Sequence, residues 1–332
     1  MTRTTTVTTS RSADLDDPSA FVDLEQEVAD PTGHDVLVEV RAVSVNPVDT
    51  KVRRGLGSDD DPVVLGFDAA GVVVAVGDGA GDFAVGDEVY YAGSIARPGS
   101  NAGLQLVDER VVGHKPATLD FAEAAALPLT AITAWEVLFE RLRLDAASTG
   151  TLVVMGAAGG VGSMLVQLAR ACTATTVVAA CGRPESAAWA RELGAHHVVD
   201  RRDLVAEVAR VAPDGARAVF SPYSEGMVET FAELLAVRGE VVAIDEPEGL
   251  DTLALKARSQ TWHWELMFTV PLSLPESREH QVLLDRVAAL VDDGTLRTTV
   301  QRRLSPRGAA TLREAHRLLE TGETIGKVVV HD

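Results

Sequence analysis

The hydrophobic rhythm of the chain changes once on the way in and once on the way out. From Asp35 the stretch DVLVEVRAVSVN alternates apolar and polar positions as a half-buried strand does, and GVVVAVG (71–77) and DEVYY (87–91) repeat the pattern between Gly and Asp punctuation. These short strands predict a small β-barrel. After Lys115-Pro116 the period lengthens, and in FAEAAALPLTAITAWEVLFERL the apolar residues recur at helical spacing on either side of Pro128. Strand and helix then alternate: 151–156, a helix over 160–172, TTVVAAC, a helix in ESAAWARELG, HHVVD, ARAVF (216–220), a helix over 226–237 and GEVVAI (239–244). Repeated β-α-β units of this kind build a doubly wound parallel sheet. The tail carries a helix in 278–292, a strand-like LRTTVQRRL, a helix over 306–320 and the terminal GKVVV. It reads as a return to the first domain. The expected domains are therefore 1–124 with 267–332, and 125–266.

The junction of the first strand and helix in the second domain holds the chemistry. It reads TLVVMGAAGGVG, in which Val153, Val154 and Met155 form a buried strand and Ala157 holds the place of the first glycine of a dinucleotide turn. Gly159 and Gly162 let the backbone turn and approach a pyrophosphate, which the amides of Ala158, Gly159, Gly160, Val161 and Gly162 would meet at the helix N-terminus. An NAD site places an acidic residue at the end of the second strand. Here Cys181, Gly182 and Arg183 stand instead, with no carboxylate to repel a 2′-phosphate and a guanidinium to pair with it. NADPH is the expected cofactor. The alternative makes Arg183 a solvated helix-start residue and Glu185 a displaced ribose ligand. Ser221 and Tyr223 follow ARAVF at the carboxyl edge of the sheet, where ligands collect.

Composition narrows the classes. The 332 residues carry a net charge of −19, and lysine is confined to Lys51, Lys115, Lys256 and Lys327. Such a surface repels nucleic acid and anionic membranes, and it suits high salt. No apolar run approaches the ~18 residues of a membrane span, and MTRTTTVTTSRSADLDD lacks the apolar core of a secretory signal. A cytoplasmic location follows as an expectation. Cys172 and Cys181 are too few for a disulfide framework or a four-cysteine zinc site. His196 and His197 are adjacent on a predicted strand and point to opposite faces, and His34, His114, His263, His280, His316 and His331 are scattered. No metal site is expected among them.

Taken together, VEVRAVSVNPVDTKVRRG (38–55), LGFDAAGVV (65–73), GDEVYYAG (86–93), EAAALPLTAITAW (123–135), the glycine turn and GKVVV (326–330) resemble the medium-chain dehydrogenase/reductase superfamily. The likeness is strongest to its quinone oxidoreductase branch, and AGSIARPGSNA (92–102) and HWELMFT (263–269) point to the subgroup called zinc-type alcohol dehydrogenase-like. The resemblance implies an α/β protein with a Rossmann domain and a GroES-like β-barrel catalytic domain. Zinc alcohol dehydrogenases keep ligands where this chain has Asn46, Phe67 and Leu129, so the resemblance implies a zinc-independent enzyme. By the same likeness Asn46 and Lys51 lie beside the nicotinamide, with Tyr91 a donor or aromatic wall. Phe67, Thr130, Trp264 and Phe268 would line the substrate pocket, and Thr133, Ile244, Met267 and Lys327 would contact the cofactor. A homodimer joined near 259–270 is implied. The leading expectation is a reductase of quinones or α,β-unsaturated carbonyls. Its rivals are an aldehyde or ketone reductase and a non-catalytic NADPH-binding protein.

Overall fold

The computed structural model describes residues 3–10, 14–56 and 63–332. The chain divides into two compact units, Met1–Ile132 with Phe268–Asp332, and Thr133–Met267.

The first unit is organised around Asp35–Val45. This strand pairs with Asp68–Val76, with Leu104–Asp108 and with the last strand, Lys327–His331. Partner strands line both its edges and both its faces are covered, so it is more buried than its alternation predicts: Leu37 and Val38 are both fully enclosed, and only Arg41 is exposed. Val36, Val38, Val40 and Val43 meet Tyr91, Leu312, Val328 and Val330 in one core. Arg3–Ser10, Phe21–Val28 and Val63–Val64 form a separate three-stranded sheet. Directly after Asp35–Val45 comes a helix the hydrophobic pattern did not announce, Pro47–Arg54. Its start is fixed locally by Asn46 as cap, by Pro47 at the first helical position and by Asp49 reaching back to the Asn46 N–H.

The second unit is a six-stranded parallel sheet in the order His197–Asp200, Thr176–Cys181, Thr151–Met155, Ala216–Ser221, Leu235–Ala243, Thr261–Trp264. The first-formed strand lies in the middle and the order reverses across it, the doubly wound arrangement that the β-α alternation predicts. The helix expected over 226–237 is shorter, Val228–Leu234, because Leu235 already pairs with Ala216 as strand. The edge strand Thr261–Trp264 was not foreseen. Its four residues, TWHW, are too few to show a period. The helical segment after Pro128 also holds a surprise, since Pro128–Trp135 runs on into a π-helical turn, Glu136–Arg141.

Candidate functional site

In the second unit the strand Thr151–Met155 ends at Gly156, whose φ of +61° makes the sharp turn. Sequence reading gave the turn to Gly159 and Gly162; the left-handed residue stands ahead of both. Gly162 has a different task, because a Cβ there would fall 2.3 Å from the Gly156 carbonyl oxygen, so only glycine lets the helix pack on the turn. The helix Gly160–Cys172 is capped by Gly159, which has no side chain to bond its first amides. Ala158, Gly160 and Val161 complete this N-terminus. A turn built of glycine and alanine alone and followed by a thirteen-residue helix fits a phosphate group. The Pro222-Tyr223 loop closes on the same turn: a Cβ on Gly156 would lie 3.3 Å from a Tyr223 ring carbon, and Tyr223 is otherwise exposed.

At the end of the neighbouring strand, Gly182 is exposed and Arg183 is half-buried as the cap of Pro184–Glu192. A Cβ on Gly182 would stand 2.7 Å from Arg201 Nε. Arg201 follows the next strand over, and sequence reading missed it although the run VVDRRD displays it. Burial raises the Cys181 thiol above its ordinary range, so it is inert beside them. Farther along the carboxyl edge, the buried Ser221 accepts the Tyr223 N–H at 3.1 Å on Oγ and the Ile244 N–H at 3.1 Å on its carbonyl. Ser224 donates N–H and Oγ to Asp245 at 2.6 and 2.7 Å, which fixes the loop that carries Tyr223. Thr133 and Met267 are buried at the two ends of this unit.

In the first unit the structure gathers Asn46, Asp49, Asp68 and Lys327 into one buried network. Lys327 Nζ donates to Asp68 Oδ2 at 3.0 Å, to the Val45 carbonyl at 3.3 Å and to Asn46 Oδ1. Asn46 Nδ2 donates to Asp68 Oδ2 at 2.8 Å, and the other oxygen of Asp68 receives the Leu129 N–H at 2.7 Å. Asp49 accepts the N–H groups of Asn46 and Gly66 at 2.7 and 3.0 Å, yet burial pushes its carboxyl up to about 7. Asp68 is the hub that sequence reading passed over. A charge inside the apolar run LGFDAAGVV was the available signal.

Internal hydrogen bonds change the picture of three expected residues. Lys327, expected against the cofactor, spends its ammonium inside the first unit, and the Asn46 amide is engaged at both ends by internal partners. Tyr91 is fully enclosed in the core and donates its hydroxyl to Gln105 Oε1 at 2.8 Å, so the phenol, raised further by burial, is turned inward. Lys51 lies on the exposed side of Pro47–Arg54. Phe67 and Phe268 meet edge to face with ring centroids 5.1 Å apart. Thr130 donates Oγ1 to the Leu127 carbonyl at 3.0 Å within its helix. Trp264, on the edge strand, is 51% exposed and packs edge-on against Trp262.

Family comparisons converge on this architecture. An alcohol dehydrogenase GroES-like domain matches residues 32–128, and a zinc-binding dehydrogenase domain matches residues 193–330. A zinc-type alcohol dehydrogenase-like protein of Staphylococcus epidermidis is 33% identical over 331 residues, spanning 96% of this chain and 97% of its own. The NADPH-dependent alkenal/one oxidoreductase of Arabidopsis thaliana chloroplasts is 37% identical over 218 residues, 63% of this chain and 54% of its own. A crystal structure from Rhizobium etli, provisionally described as a zinc-dependent alcohol dehydrogenase, superposes with a TM-score of 0.95 at 46% identity, covering 99% of this chain and 98% of that one. The chain belongs to the medium-chain dehydrogenase/reductase superfamily. It is an oxidoreductase of that superfamily, in which a nicotinamide cofactor is expected.

Zinc in these relatives' names does not fit the donors present here. The three ligand positions of the zinc enzymes hold an amide already bonded on both sides, the phenyl ring of Phe67 and the alkyl chain of Leu129. Among the described residues no group of three or more His, Cys, Asp or Glu side chains is placed to hold a metal ion. Asp49 and Asp68, the two carboxylates nearest in sequence to those positions, are committed to backbone amides, Asn46 and Lys327.

Proposed function

We propose that the chain is an NADPH-dependent reductase that delivers hydride to quinones or α,β-unsaturated carbonyls without a metal ion. The observation that carries this reading lies at the end of the strand Thr176–Cys181. No carboxylate stands there, Arg183 follows, and Arg201 lies against Gly182. A 2′-phosphate calls for guanidinium donors, and a free ribose diol for a carboxylate. The alkenal/one oxidoreductase relative, NADPH-dependent by name, supports the same cofactor and acceptor class.

When bound, NADPH would supply the hydride, and the protein supplies position and field. The amides of Ala158, Gly159, Gly160, Val161 and Gly162 would hold the pyrophosphate. Tyr223, fixed by Ser221 and the Ser224–Asp245 pair, would close over the turn. Thr133, Ile244 and Met267 would flank the nicotinamide end. With no Lewis acid, the acceptor must already be a good electron sink, as a quinone or conjugated enone is. Phe67 and Phe268 suit a planar acceptor, and Lys51 would meet the negative charge that develops on its oxygen. Asn46, with its amide engaged internally, acts by fixing the start of the helix that carries Lys51. The half-exposed edge strand Thr261–Trp264 is proposed to join a second copy.

The deciding measurement follows NADPH and NADH oxidation with a benzoquinone, a naphthoquinone, an enal, an enone and a saturated aldehyde. Turnover of the quinones or enones, with NADPH preferred, is expected, and the preference should fall toward one in Arg183→Ala/Arg201→Ala. Turnover of the saturated aldehyde alone would overturn the acceptor class. A preference unchanged in the double variant would overturn the cofactor assignment.

A further inference from the structure

The first unit holds a cleft of about 700 Å³ between the strands Arg3–Ser10 and Phe21–Val28 on one side and Asp35–Val45 on the other. That volume falls within the roughly 300–1,000 Å³ of small-molecule sites. The cleft shares no lining residue with the Asn46–Lys327 network, with Phe67 and Phe268, or with the glycine turn. Most of its charged side chains answer one another. Arg41 pairs with Glu39 at 2.8 Å, and Arg307 with Asp332 at 2.8 Å. Asp23 accepts the Thr8 hydroxyl and the Ala309 N–H that opens the helix Ala309–Glu320. Arg3 is the exception. It reaches the Val74 carbonyl at a long 3.5 Å, and among the described residues no carboxylate pairs with it. In a chain with 49 acidic residues against 30 lysines and arginines, a half-buried guanidinium without a counter-ion calls for a reason. Two neighbours also keep bonding capacity. Glu25 accepts Thr6 Oγ1 at 2.7 Å, one bond where a carboxylate can take several. Buried Thr5 Oγ1 stands 3.5 Å from the Thr6 carbonyl, too far for a good hydrogen bond.

We infer that this cleft is a second binding site and that it takes a neutral polyhydroxylated molecule, a sugar or an open-chain polyol. Three arginines and four carboxylates line it, so an anionic ligand would meet more carboxylates than guanidiniums, and a cationic one would meet Arg3 unpaired. The groups left open are of three kinds. The Arg3 guanidinium only donates, the Glu25 carboxylate only accepts, and the Thr5 hydroxyl does both. A ligand hydroxyl answers all three. A sugar ring also carries C–H faces, and Val40, Val43, Val74, Leu104 and Leu312 give the cleft apolar ground to receive them. Gly103 lets the wall close in: a Cβ there would fall 2.5 Å from Thr5 Oγ1, so only glycine brings the loop this near the threonine. All these residues belong to the first unit, and the site does not depend on the function proposed above.

Saturation-transfer NMR on the full-length protein tests the site with glucose, sucrose and sorbitol as neutral probes and gluconate as the anionic control. At least one neutral probe should give a signal that saturates with concentration. Saturation by the two sugars alone selects the ring, and saturation by sorbitol as well extends the site to open-chain polyols. Gluconate should bind more weakly than glucose. Arg3→Met removes the unpaired donor and should weaken binding about tenfold. Thr4→Trp sets a bulky ring at the wall of the cleft and should weaken it at least as much. Arg3 is half-buried and Thr4 exposed, so both variants should keep the wild-type Tm. If one does not fold, the other decides. No saturable signal from any neutral probe, tighter binding of gluconate than of glucose, or a signal undiminished in both variants would overturn the site.

Discussion

Lys327 shows how much one side chain can carry. The residue is 3% exposed, and its ammonium holds Asp68, Asn46 and the Val45 carbonyl together. Removing one partner of a buried ion pair leaves the other charge unpaired, at a cost of about 3–5 kcal/mol. Lys327→Met should lose stability of that order in urea unfolding, and Lys327→Met/Asp68→Asn should regain more than half of it, since asparagine can still accept the Leu129 N–H without the charge. A double variant no more stable than the single one would contradict the ion-pair account. Residues of this kind were only partly legible. Asn46 and Lys327 were singled out, but as groups facing a ligand. Their true neighbours lie 281 positions apart in the chain, a pairing no local pattern reveals. Glycines were easier to read, because the steric demand at Gly162 is set by a carbonyl six residues away.

At the level of elements, legibility followed length. The thirteen-residue helix Gly160–Cys172 stands as the apolar spacing placed it, since many positions vote for one period. The strand Thr261–Trp264 and the π turn escaped, one too short for a pattern and the other set by what its side chains meet. That strand is the sheet's outer edge, and among the described residues its backbone pairs only with Leu235–Ala243. Exposed edges invite pairing with another chain. If a second copy docks there, Trp264→Lys should shift the protein from dimer to monomer in sedimentation velocity, with little loss of fold because the indole is half-exposed. A dimer that persists in Trp264→Lys would place the contact elsewhere.

For the whole molecule, charge dominates what the sequence alone could foretell. A net charge of −19 over 332 residues makes the folded chain repel itself, and added salt screens that repulsion, with a Debye length falling from ~10 Å at 0.1 M to ~3 Å at 1 M. The Tm should rise steadily from low salt to molar KCl. A Tm indifferent to KCl would remove the proposal that this surface is adapted to salt. Fold class and the parallel sheet were foretold by alternation, whereas the charge network of the first unit emerged only from the assembled structure. That network has a temporal side. The strand Lys327–His331 is made after every residue of the second unit, so during synthesis the second unit, continuous in sequence, can finish first. The first unit has to wait, with Asp68 lacking its cation, for a lysine translated 259 positions later.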